Sequence, residues 1–267
     1  MTSYAGQRVL ITGAASGLGR MLAERMAGGG GKLILWDIDE SGLAAAAEVA
    51  GNAATYVCDL TSADAIRETA ARVIADHGGV DILVNNAGIV SGQSLLENSE
   101  EKIVRTFAVN TLALFWTTRA FLPGMIERGR GHVVTVASAA GISGTARLTD
   151  YCSSKFAAVG FDDSLRVEMK RQGAPIATTV VCPFYIDTGM FDGVKTRFPL
   201  LLPILKPEYV VRRIEQAIDR RRPRLIMPRF VYLTYLCRLL PVRLYDVLMG
   251  ALGVSHSMDS FTGRGGH

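Results

Sequence analysis

Short apolar runs alternate with longer amphipathic segments along the chain. The apolar runs predict strands at 8–12, 32–37, 54–58, 80–84, 132–138, 177–182 and 225–227. Apolar residues at helical spacing predict helices at 43–50, 62–77, 99–126 and 151–171. Strands that alternate with helices in this way form a parallel sheet with helices on both faces. We therefore predict an α/β fold with a doubly wound, seven-stranded parallel sheet.

Length and composition predict one domain. The chain has 267 residues, 49% of them hydrophobic and 20% charged, which suits a single unit with a substantial core. No linker, repeat or low-complexity tract divides it, so residues 1–267 are predicted to form a single dinucleotide-binding and catalytic domain. No signal peptide precedes the first predicted strand, and we expect a reducing, cytoplasmic setting. The cysteines and histidines show no metal-type spacing, so no metal is expected: Cys58, Cys152, Cys182, Cys237, His77, His132, His256 and His267.

Glycines and polar residues follow the predicted strands. Parallel sheets of this type bind ligands at the carboxyl ends of their strands. The residues found there are Gly13, Gly17 and Gly19 of TGAASGLG, then Asp37, Asp59, Asn86-Ala87-Gly88 and Ser138. One edge of the sheet is therefore predicted to carry the chemistry.

The glycine turn and Asp37 together indicate a dinucleotide site. Glycines at the start of a helix let the backbone approach a pyrophosphate, although such a turn alone is equally a tight connection. A carboxylate about 20 residues further on can hold both ribose hydroxyls and would repel a 2′-phosphate. The turn contains no Lys or Arg, and apolar Ile38 follows Asp37, so NAD is favoured over NADP. Asp59 is predicted either to accept from the adenine amino group or to cap the helix near Thr61 and Ser62.

Tyr151 and Lys155 are one helical turn apart. A free tyrosine has a pKa of about 10, and a neighbouring cation lowers it towards the neutral range. Each residue has a plainer alternative: Tyr151 as a helix aromatic, Lys155 as a solvated charge, and Ser138 as the end of a strand. Asn110 lies inside a helical pattern, where asparagine is unfavourable unless it bonds something.

The glycine turn, NNAG at 85–88, Asn110, Ser138 and Tyr151-x-x-x-Lys155 occur in the order of the short-chain dehydrogenase/reductase family, which the whole chain resembles. The resemblance implies a single-domain Rossmann fold. It also implies roles: Tyr151 as acid/base, Lys155 as its activator and ribose ligand, Ser138 as donor to the substrate oxygen, and Asn110 as anchor of a proton-relay water. The implied cofactor contacts are Gly13, Ser16, Gly17, Leu18, Gly19, Asp37, Asp59, Leu60, Asn86, Ala87, Gly88, Tyr151, Lys155, Pro183, Ile186 and Thr188. The chain departs from the family at Phe184, where glycine usually follows the proline.

Several sequence segments narrow the resemblance to one branch of this family. ILWDID, VVTVASAAG, DYCSSKFAAVGFDDSL, CPFYIDTGMF and MDSFTGR are similar to the lipid-alcohol branch that contains retinol dehydrogenases and type-11 17β-hydroxysteroid dehydrogenase. Those relatives typically carry an amino-terminal membrane anchor, which is not expected here. The resemblance implies an NAD-dependent homodimer or homotetramer that interconverts a retinoid, steroid or long-chain alcohol and its carbonyl. The alternatives are a reductase of a carrier-bound acyl chain or small polar ketone, and a non-catalytic dinucleotide-bound lipid-surface protein.

Two later segments bear on the substrate. Residues 184–205 form a predicted substrate loop whose Phe184, Met190 and Phe191 would, with Ser138, wall a pocket for a greasy alcohol, unless they are simply core.

Residues 228–267 form a predicted apolar, basic extension. Between 206 and 243, ten Lys or Arg face three acids, a local charge of +7 in a chain of net charge +4. No apolar run reaches the roughly 20 residues that span a bilayer. We expect the segment from 220 to 254 to lie on a membrane surface, to form a subunit interface or to cover the pocket. No nucleic-acid partner is expected.

Overall fold

The computed structural model describes residues 4–263. The two ends of the predicted domain, 1–3 and 264–267, lie outside the described residues, and with them His267. Seven parallel strands form one sheet in the order β3-β2-β1-β4-β5-β6-β7. The strands are β1 (Arg8–Thr12), β2 (Lys32–Asp37), β3 (Ala54–Val57), β4 (Ile82–Asn85), β5 (Gly131–Val136), β6 (Ile176–Pro183) and β7 (Arg224–Met227). Every paired neighbour runs parallel, which confirms the predicted doubly wound Rossmann fold.

Helices connect the strands and continue beyond β7. They are α1 (Gly17–Gly28), α2 (Glu40–Val49), α3 (Ala63–His77), α4 (Glu100–Phe107), α5 (Ala113–Glu127), α6 (Thr149–Arg171), α7 (Pro207–Asp219), α8 (Leu233–Cys237) and α9 (Val242–Ala251). Within residues 4–263, no helix is long and apolar enough to cross a membrane.

Two hydrophobic cores fill the two faces of the sheet. On one face, Leu22 of α1 and Ile214 of α7 pack against strand residues such as Ile11. On the other face, Ile66 of α3 and Phe121 of α5 are buried in a second cluster. Strands buried on both faces explain why their sequences are continuously apolar rather than alternating.

The predicted helix at 99–126 is not continuous. A π-helical turn, Ala108–Leu112, separates α4 from α5. Its central residue, Asn110, bonds to the loop after β4 and to α6. Single π turns often occur at functional sites. Helical periodicity in the sequence did not reveal this five-residue π-helical turn.

The amino edge of the sheet is held by the buried carboxylate of Asp81. It accepts from the Arg8 guanidinium at 2.9 and 2.8 Å and from the Arg8 backbone at 3.1 Å. Burial alone would raise the pKa of Asp81, but these hydrogen bonds and the charges of Arg8 and Arg130 lower it to about 2. This cluster lies at the opposite edge of the sheet from the predicted site.

Candidate active site

The glycine turn between β1 and α1 is packed closely against the loop that follows β4. Gly13 has φ +65°, and a Cβ there would lie 2.8 Å from the Cα of Ala87. A Cβ on Gly19 would overlap the Gly13 carbonyl oxygen and approach the side-chain amide of Asn86. That amide donates to the carbonyls of Thr12 at 2.9 Å and Gly13 at 3.2 Å. The turn therefore has room for backbone and a ligand but not for further side chains.

A cleft opens at the carboxyl edge of the sheet. The predicted residues that line it are Gly13, Ser16, Leu18, Gly19, Asp37, Asp59, Leu60, Asn86, Ala87, Gly88, Ser138, Tyr151, Lys155, Pro183, Phe184, Ile186, Thr188, Met190 and Phe191. Gly17 and Asn110 do not line it: Gly17 begins α1 with φ +52°, and Asn110 is buried behind the wall. The crowded glycine turn, the helix start and an acid at the tip of β2 fit a dinucleotide.

Asp37 has a structural role in addition to its place in the cleft. Its carboxylate accepts from the backbone of Ala15 at 3.0 Å, of Ile38 at 2.8 Å and of Asp39 at 3.2 Å. The same side chain thus fixes the glycine turn relative to β2. Asp37 also lines the cleft.

Asp59 also combines two roles. Its carboxylate accepts from the backbone of Thr61 at 2.9 Å and from the Thr61 hydroxyl at 2.8 Å, which closes the turn after β3. Ser62 is the residue that caps α3, since its hydroxyl accepts from Ala65 at 3.2 Å. Asp59 remains in the cleft wall beside Leu60.

Ser138 and Tyr151 meet at the inner end of the cleft. β5 ends at Val136, two residues before the predicted end, because Ser138 caps a short 3₁₀ turn and accepts from Ala140 at 3.1 Å. Burial raises the pKa of Tyr151, and a hydrogen bond with Ser138 lowers it by less. The predicted direction, a pKa lowered by Lys155, is therefore reversed in this structure because burial dominates.

Lys155 lies beneath the phenol ring. Its ammonium is 5.7 Å from the centroid of the Tyr151 ring and donates to the carbonyl of Val136 at 2.9 Å. Burial lowers the pKa of Lys155 to about 8. The lysine is therefore a fixed cation in the wall of the cleft rather than a solvated charge.

Asn110 holds the loop after β4 in place. Its side chain accepts from the backbone of Ile89 at 2.8 Å and donates to the Ile89 carbonyl at 2.9 Å. It also donates to the hydroxyl of Ser154 on α6 at 3.0 Å. These bonds explain the asparagine inside a helical pattern, and its role as anchor of a relay water stays a prediction.

Most of the chain matches a known protein family. The model described as "short chain dehydrogenase" matches residues 7–197. The chain belongs to the short-chain dehydrogenase family. It is therefore an enzyme of the oxidoreductase class.

This short-chain dehydrogenase is 43% identical over 269 residues to epidermal retinol dehydrogenase 2 of Mus musculus, covering 98% of this chain and 87% of the relative. It is 42% identical over 292 residues to retinol dehydrogenase 10 of Homo sapiens, covering 97% of this chain and 86% of the relative. These relatives confirm the predicted resemblance to the branch that contains retinol dehydrogenases.

Two solved structures support the fold. A short-chain dehydrogenase/reductase from Burkholderia phymatum in complex with NAD superposes with a TM-score of 0.80 at 26% identity, covering 94% of this chain and 97% of that chain. A metagenomic short-chain oxidoreductase in complex with NADP gives a TM-score of 0.71 at 27% identity, covering 85% and 98%.

Asp150 is a site residue of this dehydrogenase that sequence reasoning missed. Its buried carboxylate accepts from Ser91 at 3.0 Å and from Thr106 at 3.0 Å. It thereby ties the first turn of α6, and so Tyr151, to the loop after β4 and to α4. An acid directly before the tyrosine was the available signal. Asp150 does not line the cleft itself, and the lining residues that the sequence did not single out are Cys58, Thr61, Ile89, Arg105, Val109, Val136 and Ala137, while Ile38, used above in the argument for NAD, also lines it.

An apolar chamber adjoins the cleft. Its wall includes Ser138, Tyr151, Phe184 and Phe191, which also line the cleft. The rest of its wall is Ala139, Ala140, Ser143, Thr145, Leu148, Tyr185, Leu202, Phe230, Val231, Thr234, Met249, Leu252 and Val254. The predicted extension therefore covers the pocket, one of the three arrangements that its sequence left open.

The predicted substrate loop at 184–205 is closed at its base. Ile186 and Leu205 form an isolated parallel bridge, and Leu205 donates to the Tyr185 carbonyl at 2.8 Å. Phe184, where the family usually has glycine, donates to the Met227 carbonyl at 2.7 Å and so continues the pairing of β6 with β7. Its ring then lies in the walls of both the cleft and the chamber.

Proposed function

We propose that the protein is an NAD-dependent oxidoreductase that interconverts a lipophilic alcohol and its carbonyl, with Tyr151 as the acid/base. The observation that carries the proposal is the position of Tyr151 and Ser138. Both line the cleft that fits a dinucleotide and the apolar chamber beside it. An alcohol carbon held there faces the cofactor on one side and an apolar wall on the other.

A bound nicotinamide cofactor supplies the hydride chemistry. The residues of this chain move the proton and orient the substrate oxygen. In oxidation, Tyr151 accepts the proton of the substrate hydroxyl, and in reduction it returns a proton to the carbonyl oxygen. Ser138 donates a hydrogen bond to the same oxygen as its charge changes.

Lys155 supports this transfer from behind the ring. Its ammonium is fixed by the Val136 carbonyl, so its charge favours the phenolate whenever the proton leaves Tyr151. Asn110 and Asp150 act through other residues. Their hydrogen bonds hold the loop after β4 and the first turn of α6 in place. We expect their substitution to disturb the position of Tyr151.

Asp37 and Ile38 support NAD as the cofactor. Asp37 is at the tip of β2 in the cleft wall, followed by apolar Ile38. A 2′-phosphate in that position would meet a carboxylate. One superposed relative holds NAD and the other NADP, so the fold does not distinguish the two cofactors. The argument for NAD is the carboxylate of Asp37.

The apolar chamber supports a lipophilic substrate. Phe184, Phe230 and Met249 come from three different segments and enclose the space beyond Tyr151. A pocket of this kind favours a long apolar molecule over a sugar or a short hydroxy acid. The relatives named retinol dehydrogenases point to the same substrate class.

The outer surface next to the chamber supports contact with a lipid surface. Leu239 is 82% exposed, and Val242 and Val247 of α9 are also exposed. Leu200 of the substrate loop is 99% exposed, while Leu202 packs with Val231 in the cluster below. Large apolar side chains exposed together on a folded protein are typical of an interaction site, and we propose that these residues contact a lipid surface. These exposed residues lie beside the chamber, where an apolar substrate would be delivered from the lipid surface.

Some of the basic residues between 220 and 243 are bonded within the protein itself. Arg224 pairs with Asp163 at 2.6 Å, and Arg238 donates to the Ile142 carbonyl at 2.6 Å. The run at 220–222 directly precedes β7, which begins at Arg224. Arg229 and Arg243 are the basic residues that we propose to meet anionic headgroups.

A turnover screen tests the proposed function. The full-length protein would be assayed with NAD and with NADP against retinol, steroids, long-chain alcohols and small polar ketones. We expect NAD-dependent turnover of lipophilic alcohols. Turnover confined to small polar ketones, or a preference for NADP, would overturn the corresponding part of the proposal.

A further inference from the structure

The last described segment, residues 257–263, lies across the substrate loop, and we refer to it as the strap. The hydroxyl of Ser257 pairs with the hydroxyl of Tyr185 at 2.8 Å, and the Ser257 carbonyl accepts from Lys195 at 3.3 Å. At its other end, Thr262 donates to the Asp192 carbonyl at 2.9 Å. The strap is therefore bonded to the loop at both of its ends.

The middle of the strap enters the core of the site. Met258 is completely buried in a cluster that contains Tyr151 and Tyr185. Phe261 contacts Phe191 with ring centroids 6.3 Å apart, and Phe191 contacts Tyr151 edge-on at 5.7 Å. A row of rings thus leads from the strap to the phenol.

Two glycines on opposite sides of the strap leave room for it. Gly92, in the loop after β4, has φ +67°, and a Cβ there would overlap the ring of Phe261. Gly193, in the substrate loop, has φ +83°, and a Cβ there would overlap the Ser260 carbonyl. The strap is therefore held between the loop that Asn110 and Asp150 fix and the loop that carries Phe191.

We propose that Phe261 is a positioning residue that holds Phe191 against Tyr151 and so sets where the substrate carbon lies. Phe191 lines both the cleft and the chamber, so a shift of its ring changes the space at the reacting hydroxyl. Phe261 itself lines neither cavity and acts only through Phe191. The inference rests on the proposed function, in which Tyr151 is the acid/base.

The experiment compares Phe261→Ala and Gly92→Ala with Phe261→Leu, which keeps apolar bulk, and with Gly129→Ala. Gly129 is the matched control because its φ is +65° and a Cβ there meets nothing within 4 Å. The readouts are kcat and KM for the lipophilic alcohol, the Kd for NADH, and the rate of tryptic cleavage in the substrate loop at Lys195 and Arg197.

For Phe261→Ala and Gly92→Ala, we expect kcat/KM to fall at least about 10-fold, since small displacements at a reacting centre have large effects. Their loop should be cleaved roughly 10-fold faster because it opens more readily. The Kd for NADH should change less than about twofold, and Phe261→Leu should recover most of the activity. The double variant Gly92→Ala/Phe261→Ala should lose much less than the product of the two single losses, because the added methyl then has no ring to meet and only the strain of an alanine at φ +67° remains.

The inference is overturned if Phe261→Ala matches the wild type in turnover and cleavage, if Gly92→Ala matches Gly129→Ala, or if the two losses multiply in the double variant. Failure of the proposed function is a different result, namely that the wild type turns over no lipophilic alcohol. In that case the cleavage rates alone decide whether the strap holds the loop.

Discussion

The ammonium of Lys155 donates to the carbonyl of Val136, 2.9 Å away at the end of β5. This bond joins the helix that carries Tyr151 to the strand that leads to Ser138. This contact thus links the elements that carry the three residues of the proposed proton transfer.

Replacement of the proposed acid/base should abolish most of the activity. We expect Tyr151→Phe to lower kcat by at least about 10²-fold, the low end for loss of acid/base catalysis. NADH binding should be largely kept, since the ring remains. Steady-state kinetics with a fluorescence titration of NADH would measure both, and a near-normal kcat would remove Tyr151 from the mechanism.

The pH dependence should differ between the two directions. Burial raises the pKa of Tyr151, so the phenol is protonated at neutral pH and is ready to donate. Initial kcat/KM for oxidation should therefore rise between about pH 6 and pH 7, where Lys155, with a pKa of about 8, is still largely charged. Reduction should be level or fall over the same range.

Ser138→Ala provides a second test of the same titration. It removes the hydrogen bond that lowers the pKa of Tyr151, so the rise in oxidation should move to higher pH. A flat oxidation profile in the wild type would contradict this account.

Asp37 should control the choice of cofactor. Asp37→Asn removes the charge but keeps an oxygen that can accept from Ala15. We expect the ratio of kcat/KM for NAD to that for NADP to fall about 10-fold, equivalent to about 1.4 kcal/mol of lost repulsion. Asp39→Asn is the control, because Asp39 caps α2 and does not line the cleft. An equal change in both variants would show a general charge effect rather than recognition of the ribose.

The buried Asp81 should contribute to stability but not to catalysis. Asp81→Asn should lower the free energy of unfolding by about 3 kcal/mol, because Arg8 loses its buried partner. Asp64→Asn, in an exposed pair with Arg67, should change it by less than about 0.5 kcal/mol. Denaturant unfolding measures both, and equal values would contradict the assignment.

The same carboxylate predicts a loss of stability in acid. Its pKa in the folded protein, about 2, lies below the value of about 3.9 in an unfolded chain. The stabilisation is therefore fully present above about pH 4 and is lost as the pH falls through about 2. The difference between wild type and Asp81→Asn should shrink over that interval.

Apolar residues on the outer surface of the extension should carry lipid binding. Leu239→Glu combined with Val242→Glu should weaken binding to anionic liposomes at low salt by at least about 10-fold, given the apolar area that each side chain would bury. Val167→Glu, a comparably exposed position on α6, should bind like the wild type. Liposome co-sedimentation measures this, and failure of the wild type itself to bind would reject the lipid surface.

Much of the fold follows from local pattern. The predicted bounds of β1 and β2 match the structure residue for residue, because buried parallel strands are continuous apolar runs bounded by polar residues. The predicted strand bounds were less accurate where a residue next to a strand bonds outside the sheet. The strand at 132–138 ends at Val136, since Ser138 leaves the sheet to cap a turn.

The site residues divide in the same way. Residues whose chemistry shows in the sequence, such as Tyr151, Lys155 and Asp37, are placed in one cleft as predicted from the carboxyl ends of the strands. Asp150 and Phe261 were missed because their roles depend on partners distant in sequence: Thr106 lies 44 residues from Asp150, and Gly92 meets a ring from the strap. No local spacing records such a contact.

Sequence alone sufficed for the fold class and for the prediction that Asp37, Tyr151 and Lys155 lie at one edge of the sheet, because these depend on hydrophobic period and on side-chain chemistry at strand ends. The direction of the Tyr151 pKa shift, the use of the extension as a wall of the chamber and the bracing of Phe191 by the strap came from the folded structure. Each of these depends on burial or on contacts between distant segments, which exist only once the chain has folded.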